Sequence, residues 1–243
     1  MIQVKQLNVD YFGHKALTDV DLEIPMGFSE GIIGPNGAGK STLMKAMLGI
    51  IPSQGQVHYM GKDIRENLRK IAYVPQKNEL DLTFPITVED TVLTGTYPKL
   101  QLFKRPGKNE REIVDLCLEQ VSIQDLRKKQ ISNLSGGQLQ RVFIARALAQ
   151  QADVFFLDEP FVGIDLKSET IIVDILRKLR SEGKTILVVH HDLHEVESYF
   201  DRLLILNKKV VAEGTVKEVF TNKNIQEAYG GSLGNIQIKG LGD

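Results

Sequence analysis

Three glycines, a lysine and two hydroxyl side chains stand close together near the N-terminus. The segment reads Gly34-Pro35-Asn36-Gly37-Ala38-Gly39-Lys40-Ser41-Thr42. It fits the pattern of a phosphate-binding loop, in which glycines let successive backbone N–H groups turn toward phosphate oxygens. A helix that begins after the loop adds a positive partial charge there. Lys40 would reach the β- and γ-phosphates of a nucleotide, and Ser41 would give a hydroxyl ligand to Mg²⁺.

Two adjacent carboxylates follow a strongly apolar run further along the chain. Residues 154–157 predict a buried strand that delivers Asp158 and Glu159 at its carboxyl end, where open α/β sheets bind ligands. Asp158 would hold Mg²⁺ directly or through water, and Glu159 would orient and deprotonate an attacking water. A bound cation would offset the repulsion between two acids at the end of a buried strand.

Strands and helices alternate around these two segments. A strand predicted at 28–33 leads into the glycine-rich loop, and a helix at 40–48 follows it. The pattern predicts further strands at 2–9, 20–24, 55–59, 71–74 and 185–189, and helices at 137–150, 168–181 and from about Asp192. Such alternation is typical of βαβ units around a parallel sheet, and helical spacing between 77 and 151 predicts a helical insertion.

Composition argues against a nucleic-acid partner, an internal disulfide and a membrane span. The chain has 243 residues with 30 Lys and Arg against 31 Asp and Glu, so no basic excess favours a nucleic-acid partner. One cysteine, Cys117, allows no internal disulfide and fits a reducing compartment. No apolar segment approaches the roughly 18 residues that a membrane span requires, so we expect any membrane role to depend on a partner.

A third motif makes the interpretation specific. Leu134-Ser135-Gly136-Gly137-Gln138 stands at the start of the predicted helix 137–150 and resembles the signature of the ABC ATPase family. The resemblance implies an α/β fold: a P-loop NTPase core of ABC ATPase type, with an antiparallel β subdomain and a helical insertion. It implies one ATPase domain at 1–225, with the helical subdomain inserted at about 77–151, and we expect a flexible tail at 226–243.

The same resemblance assigns roles to further residues. Gln76, in Ala-Tyr-Val-Pro-Gln, is similar to the glutamine that links Mg²⁺ and the attacking water to the membrane partner, and His191 to the switch histidine at the γ-phosphate. Catalytic roles fall to Glu159, His191 and Gln76, and ligands of the Mg²⁺ of MgATP are Ser41, Gln76 and Asp158. The implied ATP contacts are Tyr11 at the adenine, Gly34, Asn36, Gly37, Gly39, Lys40, Ser41, Thr42, Ser135, Gly136, Gly137, Gln138 and Asp165.

The family's dimer explains why one chain carries two phosphate-binding segments. The resemblance implies a head-to-tail, ATP-dependent dimer of two copies, in which each signature closes over the nucleotide on the other copy's glycine-rich loop. Asp165 would lie in the loop that crosses this interface. His190 stands where the family usually has threonine, and Phe161-Val162-Gly163 replaces a run of smaller residues before Asp165.

The segment after Gln76 narrows the resemblance further. Residues 80–93 include Phe84-Pro85-Ile86-Thr87-Val88 and are similar to the ATPases of bacterial manganese, zinc and iron importers, with manganese favoured ahead of zinc. Such a complex implies two integral-membrane permease chains, an extracellular metal-binding lipoprotein and a peripheral place at the cytoplasmic face of the membrane. Two alternatives stay open: an iron–sulfur assembly ATPase of similar size, and an ABC transporter for a non-metal substrate.

A docking surface for the permease is predicted within the same segment. Residues 76–92 would form most of it, since they follow Gln76 and hold four apolar side chains that look exposed. The alternative is that these side chains pack the helical insertion. The four are Leu80, Leu82, Phe84 and Ile86.

Overall fold

The computed structural model describes residues 1–101 and 103–230, and the chain divides into two units. One unit joins Met1–Leu68 to the chain from Thr185 onward, and the other is Arg69–Lys184. The glycine-rich loop belongs to the first unit, whereas both carboxylates and the signature belong to the second.

An antiparallel sheet forms one part of the first unit. Its strands lie in the order β2-β1-β4-β5. They are β1 Ile2–Tyr11, β2 His14–Ile24, β4 Gln54–Tyr59 and β5 Lys62–Asp63. The pairing of β1 with β2 shifts register between Val4 and Leu7. β2 begins at His14 rather than at residue 20, because pairing with β1 extends the strand beyond the part that sequence pattern reveals.

Parallel strands carry the loop in the same unit. β3 Ser29–Ile33 is buried throughout and pairs in parallel with β8 Thr185–Val189 and β9 Arg202–Asn207, while β10 Lys209–Thr215 is antiparallel to β9. Helix α1 Lys40–Met47 starts where the loop ends, as predicted. Up to residue 230, the other helices of this unit are α6 Val196–Tyr199, α7 Val216–Val219 and α8 Asn222–Tyr229.

Three further features of the first unit differ from the prediction. The helix expected from Asp192 is reduced to the four residues of α6, because the Asp192 carboxylate accepts a hydrogen bond from His194 N at 2.9 Å and holds a local turn. Strands β9 and β10 were not predicted. The segment predicted as a tail begins inside α8, and its residues 231–243 lie outside the described residues.

The described part of the second unit, which leaves out residue 102, contains a parallel strand pair and four α-helices. β6 Ile71–Val74 and β7 Val154–Asp158 run side by side, with Val74 opposite Leu157. Helices α2 Val88–Thr94, α3 Lys108–Gln120 and α4 Gly136–Ala149 fall within the predicted insertion, and α5 Leu166–Ser181 follows β7. Short 3₁₀ segments lie at Ile64–Lys70, Lys77–Glu79, Tyr97–Lys99, Gln124–Leu126 and Ile131–Asn133.

A buried carboxylate fixes α2 within the second unit. Glu89 is 7% exposed. Its carboxylate oxygens lie 2.6 Å from Lys128 Nζ, 3.1 Å from the Arg127 guanidinium and 3.6 Å from the Arg111 guanidinium. Hydrogen bonds from Arg127 and Lys128 lower the pKa of Glu89 to about 2. The cluster ties the start of α2 to the chain ahead of the signature.

Candidate active site

The glycine-rich loop folds closely against its own unit. A Cβ on Gly39, which has φ +93°, would lie 2.7 Å from Ala16 O, so only glycine fits there. Lys40 is 6% exposed, and its Nζ donates to Gly34 O at 2.8 Å and to Pro35 O at 3.0 Å. The ammonium therefore lies across the loop at the N-terminus of α1, whose first turn carries no acid. The Lys40 ammonium and the positive end of the α1 dipole therefore lie close together, which favours binding of a phosphate.

A second buried carboxylate lies on the strand that leads into this loop. Glu30 of β3 is 1% exposed, and Arg202 Nε on β9 lies 3.7 Å from it. The Arg202 guanidinium also lies 3.8 Å from Glu213 on β10, and Glu23 N donates to Glu213. Burial, and then the charge of Glu213, raise the pKa of Glu30 to about 8. Burial raises the pKa of Glu213 as well.

Because Glu30 is buried in this cluster, we expect the free energy of unfolding to fall as pH rises. The pKa of Glu30 is about 8 when folded and 4.5 as a free side chain, so the folded state binds more protons between these values. The stabilisation is complete below about pH 4.5 and is lost as pH rises through 8, a change on the order of a few kcal/mol at most. Urea unfolding from pH 5 to 9 should show this decline, and Glu30→Gln should flatten it.

The matched control is Glu197→Gln, since Glu197 is exposed in the same unit. It should keep the wild-type pH profile. Parallel profiles for wild type and Glu30→Gln would contradict the assignment of the titration to Glu30.

The second unit brings Gln76, Asp158 and Glu159 together at the carboxyl ends of β6 and β7. Asp158 is fully buried, and Gln76 Nε2 donates to its Oδ1 at 3.4 Å. Glu159 and Gln76 both line a cavity of about 400 Å³. Glu159 has φ +50°, a conformation that costs a non-glycine residue roughly 1 kcal/mol or more and that is concentrated at functional sites. The sequence pattern did not indicate this left-handed backbone conformation at Glu159.

The signature segment forms the N-terminus of α4. Ser135 Oγ accepts from Gln138 N at 3.3 Å, while Gln138 Oε1 accepts from Ser135 N at 3.0 Å, which is a capping box. No acid stands in the first turn of α4, so its amide groups and partial positive charge remain suited to an anion. A Cβ on Gly137 would lie 2.5 Å from Asp165 Oδ2, so Gly137 permits the close approach of Asp165.

Asp165 has a structural task within this unit. Its Oδ1 accepts from Ser168 N at 3.0 Å and its Oδ2 from Ser168 Oγ at 2.8 Å, which caps α5. These hydrogen bonds lower the pKa of the Asp165 carboxyl. The structure thus places Asp165 beside the signature, and this neighbour relation was not visible in the sequence.

The predicted histidine and aromatic lie in the first unit. His191 is exposed just beyond β8, whereas His190 is 3% exposed and packs edge-on against Phe200 with ring centroids 5.5 Å apart. Burial lowers the pKa of His190 to about 4, so this histidine is a neutral core residue. Tyr11 is 43% exposed at the end of β1, and the neighbouring Phe12 is fully exposed. Phe12 is therefore a second candidate for stacking on the adenine, and the sequence pattern did not indicate it.

A larger cavity, of about 560 Å³, lies between α3 and α5. Ile113, Cys117, Phe155 and Ile175 are among its mainly apolar lining residues. It contains none of the residues predicted to bind nucleotide. Burial raises the pKa of the Cys117 thiol to about 12, so this cysteine is an inert part of the wall.

Comparison with known proteins decides the family. A family model described as ABC transporter matches residues 17–162. The chain belongs to the ABC transporter family. It binds and hydrolyses ATP as the ATPase component of a transporter, and its α/β fold is that of the family's ATP-binding cassettes.

Individual ABC relatives match over almost the whole chain. The manganese transport system ATP-binding protein MntB of Listeria monocytogenes is 57% identical over 94% of this chain and 96% of its own length. The zinc transport system ATP-binding protein TroB of Treponema pallidum is 50% identical over 96% of this chain and 88% of its own. A bacterial ABC transporter cassette with a dimeric structure has a TM-score of 0.79 at 28% identity, covering 89% of this chain and 99% of that one.

Proposed function

We propose that this chain is the ATPase subunit of a bacterial metal importer, with manganese its first candidate cargo and zinc its second. The single observation that carries the proposal is the cluster at the ends of β6 and β7, where Gln76, Asp158 and Glu159 meet at a cavity. The metal assignment is supported by relatives named for manganese and zinc transport that match nearly the whole chain. One ATPase domain at 1–225, with the insertion at about 77–151, is proposed as its organisation.

In the proposed mechanism each group acts on the nucleotide, on its Mg²⁺ or on the attacking water, and Gln76 acts on the last two. Lys40 and the loop amides hold the β- and γ-phosphates, and Tyr11 stacks on the adenine. Glu159 takes a proton from the attacking water, which Gln76 orients, and His191 donates to the γ-phosphate. The proposed ATP contacts are Tyr11, Gly34, Asn36, Gly37, Gly39, Lys40, Ser41, Thr42, Ser135, Gly136, Gly137, Gln138 and Asp165.

The residues present fit Mg²⁺ in this mechanism. A fully buried carboxylate with an amide side chain beside it, as at Asp158 and Gln76, is an oxygen-rich donor set of the kind that Mg²⁺ prefers. We propose Ser41, Gln76 and Asp158 as the residues that hold it. Bound Mg²⁺ would neutralise the charge that develops on the transferred phosphoryl group.

Two copies of the chain are proposed to complete each ATP site. The N-terminus of α4 offers amides and partial positive charge without any acid in its first turn, so it suits the γ-phosphate of a nucleotide on the other copy. A head-to-tail dimer that forms with ATP follows from this arrangement. Partner permeases, with an extracellular lipoprotein that delivers the metal, complete the proposed importer.

A peripheral place on the cytoplasmic face is proposed for the chain. Among the described residues, no helix is both long and apolar enough to cross a bilayer. The permease would therefore anchor it. The part of residues 76–92 best suited to that contact is Phe84, which is 65% exposed, whereas Val88 and Val92 are fully buried in the helical insertion.

Phe84→Glu should abolish transport while leaving the ATPase activity of the isolated chain unchanged. A charge at an exposed position costs the fold little, but it would disrupt an apolar contact with the permease. Uptake and soluble ATPase rate are the two measurements. Leu116→Glu is the matched control, since Leu116 is 59% exposed on α3 and should tolerate the change. Normal uptake with Phe84→Glu would show that Phe84 is not part of the surface that contacts the permease.

The proposed function is tested with the chain and its permease in proteoliposomes. ATP inside the vesicle, on the side of the ATPase, should drive uptake of Mn²⁺ or Zn²⁺ when the lipoprotein is supplied on the other side. The metal taken up at the lower concentration identifies the cargo. ATP hydrolysis without association with any permease would favour a non-transport ATPase and overturn the proposal.

A further inference from the structure

Helix α8, near the C-terminal end of the first unit, packs on the strands beside the glycine-rich loop. Thr221 caps the helix, since its side chain accepts a hydrogen bond from Asn224 N at 3.3 Å. Ile225 and Ala228 are buried, and α8 contacts β9 and β10. Tyr229 lies on the same face, because residues three and four apart are neighbours on a helix. The helix therefore has a fixed place next to β9, the strand that pairs with β3.

The end of β9 connects α8 with the glycine-rich loop. Asn207 Nδ2 donates to a backbone carbonyl in the last turn of α8 at 2.9 Å. The residues on both sides of Asn207 contact the loop. Lys208 N donates to Ala38 O at 2.8 Å, and Leu206 O occupies the space that a side chain on Gly34 would need. The same short stretch of chain therefore holds both the helix and the loop.

Tyr229 also contacts the loop directly. Its hydroxyl lies against the backbone N–H of Gly34, the first residue of the loop. Burial raises the pKa of Tyr229 to about 12, and the contact with Gly34 opposes this rise. The phenol is therefore neutral at physiological pH, and its oxygen can accept a hydrogen bond from the Gly34 N–H.

Gly34 links this contact to Lys40. The carbonyl oxygen of Gly34 accepts from Lys40 Nζ at 2.8 Å. Gly34 has no side chain to hold it in place, since a Cβ there would collide with Leu206 O. Its position depends on the groups packed around it, and Tyr229 is one of them. A displacement of Gly34 would move both the Lys40 ammonium and the loop amides that follow.

We propose that Tyr229 is a positioning residue for the nucleotide: its hydroxyl holds Gly34, so that the loop backbone and Lys40 are arranged to bind phosphate. Nucleotide affinity then depends on the docking of α8, a helix outside the loop. The inference rests on the proposed assignment of the glycine-rich loop as the nucleotide site. Because the loop backbone cradles phosphates that ATP and ADP share, the effect should be equal for the two nucleotides.

The test is Tyr229→Phe, which removes the hydroxyl and keeps the ring. By calorimetry, the Kd for ATP and the Kd for ADP should each rise about three- to tenfold, as expected for the loss of one hydrogen bond. Asn207→Ala, which releases the last turn of α8 from β9, should change both affinities in the same direction. In protein labelled with ¹⁵N-glycine, hydrogen exchange of the Gly34 amide should become faster in Tyr229→Phe, whereas that of Gly31 within β3 should not change.

Tyr59→Phe is the matched control, because Tyr59 is a buried tyrosine of β4 in the same unit, and it should bind both nucleotides as the wild type does. Wild-type affinity in Tyr229→Phe, or equal losses in Tyr229→Phe and Tyr59→Phe, overturns the Tyr229 proposal. A Gly34 amide that exchanges at the wild-type rate overturns it too. Lys40→Ala tests the loop assignment independently: weakened binding there leaves the loop as the nucleotide site, whereas normal binding overturns both.

Discussion

Replacing Lys40 with alanine is expected to lower ATP affinity about 100-fold, close to 3 kcal/mol. The variant loses the one full positive charge that the glycine-rich loop aims at the β- and γ-phosphates. It also loses the hydrogen bonds from Nζ to Gly34 O and Pro35 O, which hold the loop across the start of α1. Isothermal titration calorimetry with ATP and with ADP measures both affinities, and the loss should be larger for ATP.

The matched control for this prediction is Lys217→Ala, since Lys217 is exposed on α7 of the same unit. Its affinity should equal that of the wild type. Circular dichroism should show that Lys40→Ala remains folded, because alanine favours the first turn of α1 and the close packing of Gly34 and Gly39 also holds the loop backbone. Unchanged ATP affinity in a folded Lys40→Ala protein would exclude this loop as the nucleotide site.

Local sequence signals were sufficient where a run of residues decides its own conformation. The apolar run at Val154–Asp158 and the glycine-rich loop before α1 predicted the strand and helix that carry the chemistry. These signals failed where the conformation of a segment depends on contacts with another part of the chain. β2 is extended by pairing with β1, and the turn at Asp192 competes with a helix that apolar spacing alone favours.

The same division holds for the candidate site. Residue types and their order predicted Gln76, Asp158 and Glu159, and the structure places them together in one unit. The left-handed backbone of Glu159 and the contact of Gly137 with Asp165 depend on tertiary packing. A sequence pattern contains no distances between segments, so these features required coordinates.

Glu159→Gln is expected to slow ATP hydrolysis about 10²–10⁴-fold, a barrier increase of roughly 3–5 kcal/mol. Glutamine keeps the shape and hydrogen-bonding reach of the side chain but accepts no proton from the attacking water. Asp158 still holds Mg²⁺ in the proposed mechanism, and Lys40 still holds the phosphates, so ATP binding should survive. Single-turnover hydrolysis and nucleotide binding, measured on the same preparation, separate the two effects.

The stalled variant should also accumulate as an ATP-loaded dimer, because removing the negative charge of Glu159 relieves its repulsion against the γ-phosphate. Size exclusion should show a shift from 27.2 kDa to twice that mass with ATP but not with ADP. Glu182→Gln, an exposed substitution in the same unit, should hydrolyse ATP normally and should not accumulate as a dimer. Turnover close to wild type in Glu159→Gln would assign the base to another group. His191 would then be the first candidate, since it is exposed directly after β8 whereas His190 is buried in the core.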